Sequence, residues 1–246
     1  MAQVRFYDLQ FPESPSMVWS PNTCKTRYAL NVKGIPYETV FVSFDGVHSE
    51  IPKLTKSDKR PTVPIIIDLA HDNKTVQDSW DIAHYLEKAY PNTPSLFDGH
   101  EGVHLFFHNY CTNQLLPPLF KLVVLDVHKR SGSESTQKWF RENREQRFGM
   151  TLEEFAGNPE DIIKVLPGLL KPFTDVLSSY PFLTGNKVGW ADVMLASALT
   201  MVAAIKPEIF ESYILTGYEH SSTLRNWWQR MKPYMGDAPP EILSRL

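Results

Sequence analysis

The length and composition of the chain indicate a globular protein with one large domain or two modest ones. Of its 246 residues, 42% are hydrophobic and 22% are charged, which excludes the disordered, collagen-like and disulfide-scaffold classes. The formal net charge is −3, so no basic surface draws the protein toward nucleic acid or anionic lipid. We therefore expect neither nucleic acid nor a membrane as a partner.

The cysteine content and the apolar runs point to a reducing compartment. The chain has two cysteines, Cys24 and Cys111, which are too few and too far apart for a secreted disulfide framework. The first residues contain no apolar signal core, and the longest nearly apolar run, 193–205, is shorter than the roughly 20 residues of a membrane span. We expect a cytoplasmic protein.

The first ninety residues alternate strand-like and helix-like segments, the pattern of an α/β domain. Gly34 follows the first helical segment at the position where a left-handed cap is most common. The predicted strands are 4–9, 37–42, 62–68 and 74–77, and the predicted helices are 23–33 and 79–89.

From about residue 90 the pattern changes. The segment Tyr-Pro-Asn-Thr-Pro at 90–94 interrupts regular structure, and strand-like alternation is almost absent beyond it. We predict two domains, residues 1–90 and residues 98–246, the second all-helical. The predicted helices of the second domain are 102–128 (continuing past Pro117 and Pro118), 134–149, 160–179, 191–204 and 222–231.

Ser20 and Pro21 stand where the loop after the first strand enters the first helix. A helix N-terminus offers unpaired N–H groups and a partial positive charge, which would stabilise an anion or a bound thiolate beside Ser20. From spacing alone, a simple N-cap role for Ser20 is the more frequent explanation.

Two further positions carry open alternatives. Val63 and Pro64 lie within an apolar run, where a proline removes one N–H donor from the strand's hydrogen-bond ladder. A cis peptide bond and an edge strand would each explain a proline at this position. Asp78 and Ser79 begin the second amphipathic helix. They either cap it or present a carboxylate, a hydroxyl and helix N–H groups to a ligand with both an ammonium and a carboxylate, and capping is the commoner role.

Taken together, the three positions resemble the glutathione-binding arrangement of a thioredoxin-like domain, and the chain resembles the cytosolic glutathione transferases. Its first half resembles in particular the branch that contains the bacterial β-etherases and the fungal transferases related to them. The resemblance covers nearly the whole chain. The segments that carry it are 6–9, 20–21, 25–30, 63–68, 78–87, 91–99, 124–128, 182–185 and 190–192.

The resemblance implies a fold and a chemistry. The fold is an α/β thioredoxin-like N-terminal domain with a mixed four-stranded sheet, followed by an all-α helical-bundle domain. Glutathione is the implied co-substrate, with its sulfur at Ser20 and within reach of Asn22. A serine hydroxyl donates a hydrogen bond to a thiolate without forming a covalent intermediate, so transferase chemistry is expected.

The resemblance also implies residues for the rest of glutathione. The backbone of Val63 would pair with the cysteinyl part across a cis Pro64, and Asp78 and Ser79 would hold the γ-glutamyl end. The glycyl carboxylate needs a cation, for which Lys53 is the best-placed candidate, with Lys56 and Lys59 as competitors.

The second substrate is expected between the domains, and the resemblance implies a hydrophobic, aromatic electrophile that is conjugated or whose aryl ether bond is cleaved. The candidate wall residues are Trp19, Phe107, Tyr110 and Cys111. The alternatives are a non-catalytic carrier of phenolic or flavonoid compounds and, with less support, a glutathione-dependent thiol reductase. A homodimer is expected by resemblance only.

Several other residues are better explained by structure than by chemistry. Cys24, one turn beyond Ser20, is expected to be a small buried residue. Asp192 is expected to cap the long buried helix, seven residues after Gly185. His104 and His108 share a helix face but have no third ligand pattern beside them, so we predict no metal site.

Overall fold

The computed structural model of the protein describes residues 2–55 and 60–236. Within these ranges, no helix combines the length and the apolar character that crossing a membrane demands. The N-terminal half contains a four-stranded sheet with helices, and the remainder of the described chain is helical. The predicted fold class is therefore confirmed.

The sheet has the strand order β2-β1-β3-β4. β1 pairs in parallel with β2 and antiparallel with β3, and β3 pairs antiparallel with β4. β1 is almost wholly buried, as expected for a strand with neighbours on both sides and covered faces. The strands are β1 (Val4–Leu9), β2 (Tyr37–Val42), β3 (Ile65–Asp68) and β4 (Lys74–Gln77).

Helices fill both halves of the chain. Those of the N-terminal half are α1 (Pro21–Lys33), α2 (Phe44–Ser49), α3 (Ile51–Thr55) and α4 (Ser79–Ala89). Those of the C-terminal half are α5 (Glu101–Tyr110), α6 (Leu116–Lys121), α7 (Val124–Arg130), α8 (Glu134–Phe148), α9 (Leu152–Ala156), α10 (Pro159–Leu177), α11 (Trp190–Ile205), α12 (Pro207–Ile209) and α13 (Ser221–Met231). Short π-helical turns occupy Cys111–Leu115 and Phe210–Ile214, and a 3₁₀ turn occupies Lys232–Tyr234.

The third strand is shorter than predicted. It begins at Ile65, and Val63 and Pro64 precede it. Pro64 has no N–H group for the ladder, and its carbonyl oxygen instead accepts a hydrogen bond from the Asp78 backbone, 3.2 Å away. The Val63–Pro64 peptide bond is cis, as the resemblance implied.

The long predicted helix 102–128 is interrupted in two places. α5 passes into the π-helical turn Cys111–Leu115 just before Pro117 and Pro118, and residues 122–123 separate α6 from α7. Two consecutive prolines remove two helix donors, so the regular hydrogen-bond pattern cannot continue through them. The short helices α2, α3, α9 and α12 were not predicted.

Buried charges join the first helix to its surroundings. The Arg27 guanidinium of α1 donates to the Asp8 carboxylate of β1 at 2.8 Å, and both side chains are fully buried. The Lys33 ammonium donates to Glu87 of α4 at 2.7 Å, and the same carboxylate accepts from the backbone N–H of Leu96 at 2.9 Å. These pairs fix α1 between the sheet and the segment that leads to the helical half.

Asp192 supports the start of α11, as predicted. Its buried carboxylate accepts from the backbone N–H of Leu183 at 2.8 Å, from that of Gly189 at 3.2 Å and from the indole N–H of Trp227 at 2.8 Å. A side chain at Gly189 would collide with Thr184 and with a backbone carbonyl. Because residue 189 is a glycine, it has no side-chain oxygen to accept a hydrogen bond from the helix. The Asp192 carboxylate therefore supplies only one of the two bonds of a capping box.

Candidate active site

Ser20 occupies the N-cap position of α1, yet its hydroxyl does not cap the helix. The residue is 5% exposed, its backbone is extended, and its side chain makes no capping hydrogen bond. Its carbonyl oxygen accepts the first helical bond from Cys24, at 2.9 Å. Because Pro21 has no N–H group, the free helix donors begin at Asn22. The Ser20 hydroxyl is thus left available beside an electropositive helix end.

The loop before Ser20 is anchored by the helical half of the protein. The Arg130 guanidinium donates to the Glu13 carboxylate at 2.7 Å and to the Ser14 hydroxyl at 3.0 Å. Its carbon also lies 4.3 Å from the centre of the Phe11 ring. Arg130 was not predicted from the sequence, since nothing local marks a residue 110 or more positions away as a partner.

Asp78 and Ser79 form the start of α4. Asp78 accepts from the Trp80 backbone N–H at 2.9 Å and so caps the helix, as the simpler interpretation predicted. Its φ of 83° lies in a region that L-residues rarely adopt. Ser79 is 5% exposed, and its hydroxyl has no hydrogen bond among the described residues. One of the two side chains is therefore used by the helix and the other is not.

Gln77 joins this helix start to the segment before the cis proline. Its side-chain amide donates to the backbone oxygen of Thr62 at 3.1 Å, to the Thr62 hydroxyl at 2.8 Å and to the backbone oxygen of Arg60 at 3.3 Å. Val63, half-buried, follows directly. The structure thus brings the Val63 backbone and the Asp78 position together, although 15 residues separate them.

A buried lysine lies beneath the first helix start and was missed by the sequence analysis. Lys25 is 4% exposed, and its ammonium donates to the Asn22 side-chain oxygen at 3.1 Å. Burial lowers the pKa of Lys25 to about 8, although the negative charge of Asp78 opposes this shift. Asn22 itself is exposed. The only local signal was the spacing of three residues between Asn22 and Lys25 on one helix face.

Of the lysines expected for the glycyl carboxylate, Lys53 lies within the described residues. Lys53, in α3, is exposed, and its ammonium has no ion pair or hydrogen bond among the described residues, whereas Lys56 and Lys59 lie outside those residues. Arg60 donates to the Asn143 side-chain oxygen at 3.0 Å, and Arg144 donates to the same atom at 2.8 Å. Among the described residues, the Lys53 ammonium is therefore not engaged, whereas the Arg60 guanidinium is.

The four predicted wall residues do not share one cavity. Trp19 is 3% exposed and stacks on Phe11 with 4.2 Å between ring centres. Cys111 lines a water-sized cavity of about 10 Å³ together with Pro21 and Lys25. Phe107 and Tyr110 line a larger cavity of about 460 Å³, whose walls come entirely from residues 97–191.

The two thiols and His104 are buried, and His108 is half-buried. Burial raises the pKa of Cys24 to about 12 and that of Cys111 to about 12, so neither is a reactive thiolate at neutral pH. The His108 ring lies parallel to the Trp190 ring with 6.0 Å between centres, and the His104 ring lies 5.6 Å from that of Phe97.

Comparison with known families identifies both halves of the chain. Residues 15–94 match the model of the glutathione S-transferase N-terminal domain, and residues 102–234 match that of the glutathione S-transferase C-terminal domain. Among curated proteins, the glutathione S-transferase-like protein ustS of Aspergillus flavus is 26% identical over 221 residues, which cover 80% of this chain and 79% of that protein.

Solved structures give the same result. Glutathione transferase GSTFuA3 of Phanerochaete chrysosporium is 30% identical, with a TM-score of 0.81 over 95% of this chain and 98% of that one. Glutathione S-transferase CsGST63524 of Ceriporiopsis subvermispora, solved in complex with glutathione, is 24% identical and shares the fold, with a TM-score of 0.78 over 97% of this chain and 99% of that one. The predicted resemblance to the fungal transferases is confirmed, and the chain belongs to the glutathione S-transferase family of enzymes.

Proposed function

We propose that this transferase binds glutathione with its sulfur at Ser20 and joins it to hydrophobic, aromatic electrophiles. The observation that carries the proposal is the Ser20 hydroxyl, which lies at the N-terminus of α1 and makes no capping bond. A donor in that position stabilises a bound thiolate without itself being consumed. The helix end adds positive charge at the same point.

The chemistry follows from this arrangement. Once its thiol proton has passed to water, glutathione supplies a thiolate whose sulfur bonds to an electrophilic carbon, while the leaving group departs with its bonding electron pair. Ser20 holds the nucleophile in its charged form by donating a hydrogen bond from its hydroxyl group, which keeps its own proton. When the leaving group is an aryloxide, the same displacement cleaves an aryl ether. We infer conjugation and ether cleavage as two outcomes of one site.

We assign the other parts of glutathione to residues of the N-terminal half, near the four-stranded sheet. We assign the γ-glutamyl end to Asp78 and Ser79, because the Ser79 hydroxyl has no partner among the described residues and the start of α4 favours a carboxylate. We assign the cysteinyl part to the backbone of Val63, next to Pro64, and the glycyl carboxylate to Lys53. The complex of glutathione with the Ceriporiopsis relative supports glutathione as the ligand.

We propose that the hydrophobic second substrate contacts Trp19, Phe107, Tyr110 and Cys111. Cys111 has the strongest support, because it shares a cavity with Pro21, the neighbour of Ser20. Trp19 lies directly before Ser20 in the chain. Phe107 and Tyr110 face a cavity that belongs to the helical half.

We also infer two domains, residues 1–90 and residues 98–246, and a homodimer. We infer a cytoplasmic location, which the two free, buried cysteines support.

A second candidate function is the carriage of phenolic or flavonoid compounds. The cavity of about 460 Å³ favours it, since aromatic rings line that space and none of the residues proposed for glutathione does. The thiol reductase alternative has less support, because Cys24 is fully buried. Glutathione-dependent reduction of a mixed disulfide that disappears in Cys24→Ser would favour it.

The deciding experiment measures conjugation of glutathione to a generic aromatic electrophile by the wild type and by Ser20→Ala. Ser197→Ala is the matched control, because Ser197 is also a buried serine but its hydroxyl bonds to the Val193 backbone. We expect Ser20→Ala to lose about a hundredfold in kcat/KM and the control to keep its activity. Equal activity of wild type and Ser20→Ala would refute the sulfur assignment. A wild type whose melting temperature glutathione does not raise would favour the carrier.

A further inference from the structure

Lys25 is a buried cation with no ion pair to any residue that the structure describes. Its side chain lies in the interface between α1 and the helical half, where it lines the cavity shared with Cys111 and Met194. In the part of the chain that the structure describes, the bond to the Asn22 side-chain oxygen is its only hydrogen bond or ion pair. A buried ammonium is costly unless it is paired, so its presence here calls for a function.

Lys25 differs from Lys33, the other buried lysine of α1, in its ion pairing. Lys33 belongs to the same helix and is 2% exposed, but its ammonium is paired with the Glu87 carboxylate at 2.7 Å. The same helix therefore contains one buried lysine that is neutralised by the protein and one that is not. The difference indicates that the Lys25 ammonium interacts with an anion that is not part of the protein.

The groups that face Lys25 are few. Asp78, at the start of α4, acts on it as a negative charge, and the buried thiols of Cys24 and Cys111 flank it from α1 and from the π-helical turn. The His108 ring of α5 lies within range of both Lys25 and Asp78. From α11, the cavity receives only apolar side chains. Thus Asp78, itself exposed, is the nearest source of compensating charge.

The direction of the Lys25 side chain leads back to the sulfur site. Side chains in a helix tilt toward its N-terminus, and the Lys25 ammonium accordingly lies against Asn22, in the first turn. An ammonium can only donate, so it fixes the oxygen of the Asn22 amide toward itself and leaves the NH₂ group on the other side. That NH₂ group has no partner among the described residues.

We propose that Lys25 is a positioning residue of the sulfur site: it holds the Asn22 amide with its NH₂ group toward the cleft and adds positive charge where the glutathione thiolate binds. The inference rests on the proposed function, since it takes glutathione as the ligand of Ser20. It makes no use of covalent chemistry at Lys25. The thiolate, when bound, is the anion that the buried ammonium lacks in the protein alone.

The test is a pH titration of enzyme-bound glutathione, followed by the ultraviolet absorbance of its thiolate. Removing a charge near an ionisable group shifts its pKa by about one unit or more, so Lys25→Met should raise the pKa of the bound thiol by about one unit. At pH values below the pKa of the bound thiol, kcat/KM of Lys25→Met should be about tenfold lower than that of the wild type. Lys25→Arg, which keeps the charge, should recover most of the loss. Lys33→Met is the matched control and should leave the thiol pKa unchanged.

Asn22 provides a second test that leaves the buried lysine intact. Because Asn22 is exposed, Asn22→Ala should fold normally and should also raise the thiol pKa. The double variant Lys25→Met/Asn22→Ala should shift it less than the sum of the two single shifts, because both act on one amide. If Asn22→Ala titrates like the wild type, the inference is wrong, whether or not Lys25→Met folds. If the wild type itself fails to bind glutathione, the proposed function fails instead.

Discussion

The backbone N–H of Asp78 donates to the carbonyl oxygen of Pro64, with 3.2 Å between nitrogen and oxygen. This bond joins the start of α4 to the residue that follows Val63. The Gln77 side chain strengthens the same connection through its three bonds to residues 60 and 62. A ligand that pairs with the Val63 backbone would therefore lie near the start of α4, where the Ser79 hydroxyl has no partner among the described residues, with little reorganisation of the protein.

The first prediction concerns Ser79. Its hydroxyl is buried and has no partner among the described residues, so Ser79→Ala should leave the fold intact. A hydrogen bond to a charged carboxylate contributes about 2 kcal/mol. We therefore expect glutathione affinity to fall about thirtyfold by isothermal titration calorimetry.

Ser178→Ala is a suitable control for this measurement, since the Ser178 hydroxyl bonds to the Asp175 backbone at the exposed end of α10. Full retention of affinity by Ser79→Ala would mean that the γ-glutamyl group binds elsewhere.

Asp78 allows the capping role to be separated from ligand binding. Asp78→Ala loses the bond to the Trp80 N–H while keeping the unfavourable positive φ, so it should destabilise the protein by about 1 kcal/mol. Asp78→Gly also loses the cap, but glycine accepts the positive φ without a steric cost. Urea unfolding should therefore show Asp78→Gly to be more stable than Asp78→Ala.

Both Asp78 variants should bind glutathione equally weakly if the carboxylate itself contacts the γ-glutamyl ammonium. A glycine variant with normal affinity would restrict Asp78 to its structural role.

The structure also shows which features the sequence could predict. All four strands and α4 were predictable, because alternation and helical periodicity depend on neighbouring residues alone. Helix α2 was missed, because it has only six residues and contains Gly46. It is stabilised by the Ser43 cap and by contact of Phe44 with the distant Phe140, whose ring centres lie 5.7 Å apart.

The same distinction applies to the candidate site. Ser20 and Ser79 were found because each stands at a helix start that is visible in the sequence. Lys25 was missed, because its burial depends on the packing of α11 against α1, which involves residues such as Met194 and Ala198 far along the chain. Similarly, the capping roles of Asp78 and Ser20 could not be distinguished without backbone geometry, since both are good N-cap residues.

A third prediction tests the cation for the glycyl carboxylate. γ-Glutamylcysteine lacks the glycyl group, so the wild type should bind it more weakly than glutathione by about tenfold. Lys53→Met should abolish this preference, because Lys53 has no ionic partner in the described chain and is the proposed contact.

Arg60→Met serves as the comparison, since Arg60 already donates to Asn143. Competition binding with the two peptides gives the preference directly. If Arg60→Met loses the preference while Lys53→Met keeps it, the glycyl end lies toward α8 instead of α3.

The last prediction is a pH dependence of stability that originates at His108. Burial, assisted by the positive charge of Lys25, lowers the pKa of His108 from 6.5 to about 4 in the folded protein. The ring nitrogen Nδ1 is buried and has no hydrogen-bond partner within residues 2–55 and 60–236, and the ring packs on Trp190 and Trp80. An added proton would therefore bring a charge into an aromatic environment.

The sign follows from proton binding. Between about pH 4 and pH 6.5 the unfolded chain binds more protons at His108 than the folded protein does, so the stability of the fold should rise with pH through this window and be lost as the pH falls. The full shift would correspond to a loss of about 3 kcal/mol, and because solvent screens this half-buried ring we expect about 2 kcal/mol from His108 alone near the lower end of the window. His108→Phe keeps an aromatic ring but cannot take up a proton, so its unfolding free energy should depend less on pH by about that amount. The exposed His100, replaced by Gln, gives the control, and an identical pH dependence in wild type and His108→Phe would show that the ring titrates freely in the folded protein.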